Sequence, residues 1–404
     1  MIYNETRYNS HWSTKKLSEL GTFARGKSKH RPRDDERLYV GGGYPLIQTG
    51  EVKAANLYIT HHEQEYNEFG LAQSKLWDEG TLCITIAANI AETAILKYPM
   101  CFPDSVVGFS AFPEKSSEKF MHYVFTYIRN SIQNSVTGSI QDNINIDYLS
   151  QLDFKVPPKS YQDKVVEVLG NIDEKIDTNN RICAELEAMA KTLYDYWFTQ
   201  FDFPNADGKP YCSSGGEMVW NDQLKREIPK GWEVDIIGNI LSKIPNTTRI
   251  QTSEYLSDGN IPVIDQSADY IAGYTNETDA LLSSPTGYVV FGDHTRIVKY
   301  IRFPFARGAD GTQILKSNTL RVPDELLYQI VQSVDLSNYG YARHFKFLKD
   351  TLTVIPDEMV AKKYVEIVTP IFDKKVQLTF ENIELTKLRD WLLPMLMNGQ
   401  ATVE

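Results

Sequence analysis

The sequence predicts an α+β protein made by internal duplication, in which two small α/β parts are separated by two long antiparallel helices forming a coiled-coil spacer. Three observations carry this. Residues 157–198 read as one helix whose apolar and small positions, Val165, Leu169, Ile172, Ile176, Asn179, Cys183, Leu186, Ala190, Leu193 and Trp197, step by four and three. Steps averaging 3.5 residues keep one seam turned toward a partner helix. A second copy of this helix follows at a constant offset of 199 residues: Val166-Glu167 falls on Val365-Glu366, Ile172 on Ile371, Leu186 on Leu385 and Leu193 on Leu392. Finally, a globular stretch precedes each helix, and the two stretches repeat one plan.

The order along the chain is a first globular part over 1–156, a central helix over 157–200, a linker over 201–230, a second globular part over 231–355 and a C-terminal helix over 356–404. In the first part, Thr81–Leu96 reads as two strands around Ala88-Asn89, and Tyr44–Val52 as another. Ser116–Ile132 opens on a serine cap and has apolar residues at helical spacing. A polar loop, a short helix and a strand then lead into Pro157. The linker is rich in Gly, Pro, Ser and Asp, yet its aromatic residues predict that it packs against something. In the second part, Ile261–Gln266 echoes Tyr44–Thr49, Gly287–Phe291 and Ile297–Phe303 repeat the strand pair, and Leu326–Val334 takes the helix's place. The closing helix repeats Ile371, Leu378, Leu385 and Leu392 every seven residues. Lys375 and Arg389 interrupt the other half of its seam, so it is expected to be the looser one. Antiparallel packing puts the globular parts at opposite ends of a rod, since a helix of roughly 40 residues is about 60 Å long.

Composition narrows the function. The net charge of −11 is spread over every segment, which excludes a protein that coats phosphates with a basic slab. No stretch approaches 18 apolar residues and MIYNETRYNSHW has no apolar run, so neither a membrane span nor a signal peptide is expected. Four cysteines form no CxxC pair and no metal-ligand spacing, which fits a reducing cytoplasm. No HExxH, no GxSxG elbow and no Asn-Pro-Pro-aromatic motif is present, so no catalytic residue and no metal ligand is assigned. Asp34, Asp35, Glu51 and Lys53 resemble a nuclease set only by chance spacing, because the second part has no equivalent.

Gly21–Ser28 matches the phosphate-loop pattern GxxxxGK(S/T). The segment before it is not a buried strand, and KHRPRDDE after it is too charged and Pro-broken for a packed helix. The same region has a better use. Arg25, Lys27, Lys29 and Arg31, with His30, Arg33 and Arg37 nearby, suit contact with DNA phosphates; a solvated loop is the bland alternative. Polar loops supply base-reading candidates, because Gln and Asn pair with adenine and Arg and Lys with guanine. These are Gln48, Thr49, Thr137, Ser139, Gln141 and Asn143 in the first part. In the second they are Gln266, His294, Thr295, Arg296, Tyr341, Arg343 and His344. The helix seam is assigned to Ile172, Ile176, Leu186, Leu193 and Trp197 against Ile371, Leu378, Leu385 and Leu392.

Over essentially its whole length the chain resembles the specificity subunit of type I restriction-modification systems. Trp197-Phe198, FDFP at 201–204, GKPY at 208–211, SSGGEM at 213–218, IPKGW at 228–232 and LRDWLLPMLMNG at 388–399 carry the resemblance. IAGYTNET at 271–278, with GDHTR at 292–296, is similar to one recurrent class of target-recognition domain. The resemblance implies that each globular part reads one half of a split, asymmetric site on double-stranded DNA. It also implies that the helices set the spacing and dock two methyltransferase subunits, to which motor-nuclease subunits add. S-adenosylmethionine, ATP and Mg then belong to those partners, with none bound by this chain. Gly26-Lys27-Ser28 departs from the Gly-Thr-Pro-Ser-like turn frequent in such relatives. On residues alone, a coiled-coil scaffold without a DNA role and a P-loop ATPase stay open as alternatives.

Overall fold

Short apolar alternations bounded by turn residues make the strands, and two long uninterrupted periodic runs make the helices. The computed structural model describes residues 2–87, 90–137, 145–340 and 343–403. Its contacts divide the chain into two units, residues 1–179 with 381–404, and residues 180–380.

The first unit holds β1 (Ser13–Lys16), α1 (Leu17–Leu20), β2 (Gly21–Arg25), β3 (Tyr44–Leu46), α2 (Thr49–Ala54), β4 (Tyr58–Ile59), β5 (Gln64–Tyr66), α3 (Glu68–Ala72), β6 (Leu76–Trp77), β7 (Leu82–Thr85), β8 (Thr93–Leu96), β9 (Met100–Cys101), β10 (Val106–Ala111), α4 (Glu118–Thr137), α5 (Ile146–Gln151) and β11 (Asp153–Val156). One sheet has the order β2-β10-β7-β8-β4 and another β5-β3-β9-β6. Period-two alternation assigns the faces of the larger sheet. Leu82, Ile84, Val107 and Phe109 pack with Phe120, Val124 and Phe125 of α4. Cys83 and Val106, on the other face, join Trp77, Met100 and Phe102. β1 pairs with β11, Ser13 opposite Val156, so the start of this part is fastened to the strand that feeds the long helix α6 (Lys159–Tyr194). Pro157-Pro158 between them ends the ladder, lacking an N–H, and presets the helical turn.

The second unit repeats this plan with β12 (Met218–Asn221), β13 (Arg226–Pro229), β14 (Glu233–Ile236), β15 (Ile261–Ile264), β16 (Gly273–Thr275), β17 (Leu281–Leu282), β18 (Tyr288–Gly292), β19 (Val298–Ile301), β20 (Phe305–Arg307), β21 (Thr312–Leu315), α7 (Asp324–Ser333), α8 (His344–Asp350) and β22 (Leu352–Ile355). The order β16-β15-β20-β17 reproduces β5-β3-β9-β6, with the central pair parallel in both. β19-β18-β21 reproduces β8-β7-β10, and β14-β22 reproduces β1-β11. The final helix α9 (Glu358–Met397) follows β22 as α6 follows β11.

Three expectations change. Tyr44–Val52 is strand only to Leu46; Thr49–Ala54 turns helical, because the Glu51 carboxylate accepts the Gln48 N–H at 3.0 Å and caps that turn. The segment read as a linker carries the β12–β13 hairpin, while the packing expected of its aromatic residues is found as a stack of Phe203 on Trp232 at 5.0 Å and on Tyr211 at 4.7 Å. The heptad spacing also misreads part of the seam. Ile176, Trp197 and Leu378 are buried, whereas Ile172, Leu186, Leu193, Ile371, Leu385 and Leu392 are half-buried. In α9 the buried line is Ala361, Tyr364, Val368 and Phe372, then Leu393, Leu396 and Met397. A helix that packs on both a helix and a globular core buries a wider stripe than a two-position seam.

The helices run antiparallel within each unit. Tyr161 donates to the Ala401 carbonyl at 2.7 Å, Arg389 pairs with Asp173 at 2.9 Å and Asn179 donates to Asn382 at 2.8 Å. In the second unit Lys375 of α9 pairs with Glu187 of α6. The two cations that interrupt the seam are therefore each paired, and the expected looseness does not follow from them. Among the described residues no helix is long and apolar enough to cross a membrane.

Candidate nucleic-acid interface

The candidates of the second part gather around the β18–β19 turn. Asp293, 4% exposed, is its hub. Its backbone N–H donates to the Gly311 carbonyl at 2.7 Å, and its own carbonyl accepts both His344 N–H and His344 Nδ1 at 2.9 Å. Its carboxylate accepts the Phe345 N–H at 2.8 Å. The Gln266 amide is also committed: Oε1 accepts His294 N–H at 3.1 Å and Nε2 donates to the Asp310 carbonyl at 3.0 Å. Thr295 Oγ1 donates to the Gln266 carbonyl at 2.7 Å. Gly311, at φ +86°, permits this closure, since a Cβ there would lie 2.4 Å from Gln266 Nε2.

Beneath them Lys299 is 5% exposed on β19 and donates to the carbonyls of Asp265 at 2.9 Å and Asp269 at 2.5 Å. Burial holds its ammonium below the usual lysine range. Four loops, at 265–269, 293–296, 308–311 and 343–345, are thus tied into one surface. His294, Thr295, Arg296 and Arg343 face outward from it. His344, expected at the surface, is 3% exposed, its ring drawn in by the Asp293 carbonyl. Tyr341 lies outside the described residues. Sequence reasoning missed Asp293 and Lys299. A lysine inside the apolar strand VKYI was the available signal, because a buried ammonium demands acceptors.

In the first part Gln48 is exposed at the start of α2 and Thr49 is half-buried beside it. Thr137 ends α4, and Ser139, Gln141 and Asn143 lie outside the described residues. The GxxxxGKS segment is extended: Gly21–Arg25 pairs along β10, and Gly26 and Lys27 continue with bonds to the Val106 and Phe102 carbonyls. Gly26 serves this approach, because a Cβ there would sit 2.3 Å from the Pro103 carbonyl. No helix follows to aim N–H groups at a phosphate, which removes the basis of the ATPase alternative.

The basic residues around that strand fall into two kinds. Arg25 donates to the Asp104 carbonyl at 3.0 Å, and Arg31 to the Ser28 carbonyl at 2.5 Å. Arg33 pairs with Asp104, and Arg37 and His30 share Asp35, whose carboxyl is held well below the usual range by the Arg37 guanidinium and then His30. Lys27 and Lys29 are exposed and form no ion pair with a described residue.

Each α/β part is also anchored to the long helices through a tyrosine. In the first unit Tyr123 of α4 donates to Asp173 of α6 at 2.7 Å, and Arg389 of α9 pairs with the same carboxylate. Arg389 further donates to Asn56 Oδ1, just past α2, at 2.8 Å. In the second unit Tyr328 of α7 and Lys375 of α9 both bond Glu187 of α6. Burial pushes both tyrosine hydroxyls far above the usual range, so they act as donors.

Residues 9–188 match the family described as the type I restriction modification DNA specificity domain. The chain is 25% identical over 422 aligned positions, 97% of its length and 94% of the relative's, to the type I restriction enzyme MjaIX specificity subunit of Methanocaldococcus jannaschii. Over nearly its whole length the chain is similar to a specificity subunit of a type I restriction enzyme. A second relative, the HindI specificity subunit of Haemophilus influenzae, is 24% identical over 64% of this chain and 71% of its own. The crystal structure of a type I restriction-modification S subunit from M. genitalium shares the fold, with a TM-score of 0.57, 15% identity, and coverage of 98% of this chain and 99% of that one.

Proposed function

We propose that this chain is the sequence reader of a type I restriction-modification complex, non-catalytic itself, which binds double-stranded DNA and docks methyltransferase and motor-nuclease subunits. Each α/β part, over 1–156 and 231–355, takes one half of a split asymmetric site. The helices over 157–200 and 356–404 space the halves, with 201–230 joining them, and carry two methyltransferase subunits. One observation carries this reading: within the family, this chain repeats a single sheet order twice and changes the loops at equivalent places. A scaffold without a DNA role leaves that pattern without a reason.

The candidate residues divide by their bonding. Lys27 and Lys29, with Arg25 and Arg31, face phosphates from the first part, while Gln48 and Thr49 lie at the mouth of α2. In the second part His294, Thr295 and Arg296 are presented to base edges, and Gln266, Asp293, Lys299 and His344 hold the loops that present them. Exposed apolar side chains on the long helices, among them Met189, Met359, Ile367, Leu388 and Trp391, the last 63% exposed, form the methyltransferase docking faces. S-adenosylmethionine, ATP and Mg act on those partners. The chain works in the cytoplasm, where its four free thiols persist.

The test is genome-wide adenine methylation in a methylation-free host carrying the methyltransferase subunit with and without this chain. One bipartite motif present only with this chain is the expected result. An assembled complex that methylates no motif would return the scaffold reading.

A further inference from the structure

Beside the Arg296 and Arg343 loops, one aromatic ring is held outward with a face uncovered. Tyr339 is 46% exposed at the end of the short turn Ser337–Tyr339, and its ring stacks on Phe347 of α8 with centroids 4.1 Å apart and planes 20° apart. Phe347 is itself half-buried against the core, so the pair is a supported platform. The turn is fixed from both sides: Asp335 accepts the Ser337 N–H at 2.8 Å, and Arg296 donates to the Leu336 carbonyl at 3.3 Å. Gly340 follows at φ +53°.

The surrounding charge is positive. Arg343 and Lys346 are exposed and form no ion pair with a described residue, and Lys349 lies over Phe345 at 5.0 Å. The carboxylates bordering it are Asp293, spent on the Phe345 N–H, Asp335, which serves the turn, and Asp350 at the far end of α8. In a chain of net charge −11 this is a local reversal. A supported aromatic face among unpaired cations matches a nucleobase unstacked from its neighbour in the duplex, because such a base offers a free π-face and its flanking phosphates a charge.

We propose that Tyr339, backed by Phe347, stacks on one base that is unstacked from its neighbour in the half-site taken by the second α/β part, with Arg343 and Lys346 on the phosphates flanking that base. This rests on the sequence-reader assignment and adds to it a residue and a mode of contact. The experiment uses the full chain assembled with its methyltransferase subunits, and a duplex bearing the bipartite motif that methylation sequencing returns. Each purine of the second half-site is replaced in turn by 2-aminopurine.

Tyr339→Ala is expected to weaken binding to that duplex about 10- to 100-fold, whereas Tyr339→Phe stays within about threefold of the parent. At one position, 2-aminopurine emission should differ between the parent and Tyr339→Ala complexes. Tyr339→Leu, which keeps bulk without a π-face, should bind as weakly as the alanine variant. Thermal melting separates a folding defect, since a half-exposed ring on a single partner contributes little to stability. Three results overturn the proposal: an alanine variant within twofold of the parent, a leucine variant that binds normally, or a phenylalanine variant as weak as alanine. A parent complex that binds no bipartite duplex instead overturns the reader assignment beneath it.

Discussion

The two α/β parts share a sheet plan and differ in what holds their loops. In the first, α4 has 20 residues, the larger sheet has five strands, and Arg389 ties the end of α2 to the long helices. In the second, α7 has 10 residues, the corresponding sheet has three strands, and the loops are cross-tied to one another by Gln266, Asp293 and Lys299. A repeated scaffold with separately fastened loops lets the loops of each part differ without moving its anchor. Both anchors use a carboxylate from α6, a tyrosine from the adjoining helix and a cation from α9. That recurrence explains why Lys375 and Arg389 stand where an apolar residue would continue the seam.

The largest expected difference lies between the anchors. Asp173 has 1% of its side chain exposed and serves Tyr123, Arg389 and Asn56. Asp173→Ala should cost about 3 kcal/mol of stability, because it removes the buried partner of the Arg389 guanidinium and leaves it only the exposed Asp390. Glu187 and Lys375 are each 25% exposed, so Glu187→Ala should cost about 1–3 kcal/mol. Urea unfolding of both variants orders the two, and equal losses would dissolve the distinction.

Next come the loop ties. Asp293→Ala removes the acceptor of the Phe345 N–H and should cost about 1–3 kcal/mol at the turn. The expected outcome is a methylation motif degenerate in one half and intact in the other. Loss of both halves together would mean that the tie supports the whole chain and not one surface.

A pH experiment separates the parts further. His122 on α4 is fully buried beside Thr93, and burial lowers its pKa to about 4 from the usual 6.5. Its neutral form belongs to the folded state, so its contribution is fully present above pH 6.5. It is lost progressively as pH falls from 6.5 toward 4, to a limit on the order of 3 kcal/mol. His122→Gln should flatten that portion of the stability profile in thermal melts at pH 7.5, 6 and 5. An unchanged slope would assign the acid sensitivity elsewhere.

The smallest effect is expected at the basic strand. Lys27→Ala should weaken binding to all duplexes alike and lower the salt dependence by about one counterion. Titrations at several salt concentrations check it, and a change confined to one sequence would make Lys27 a base reader.

Much of this organisation is local and was therefore legible. The offset of 199 residues, the seam periodicity, the capped apolar run of α4 and the β7–β8 and β18–β19 pairs follow from residue order, because periodicity states which face of an element is apolar. The polar positions behave differently. Gln266 reads in sequence as a base reader and is a latch on a carbonyl 44 residues away; His344 reads as a surface group and is buried against a residue 51 positions back. Arg389 reads as a flaw in the seam and is paired with Asp173, 216 residues distant. A hydrogen-bonding side chain carries no mark of whether its partner will be solvent, a ligand or another part of its own chain. The sequence alone determined the duplication, the helices and the repeated strands, since these rest on hydrophobic pattern and backbone propensity. Only the tertiary structure decided which polar groups are spent inside the protein and which are left facing out, because that depends on contacts closed across long stretches of chain.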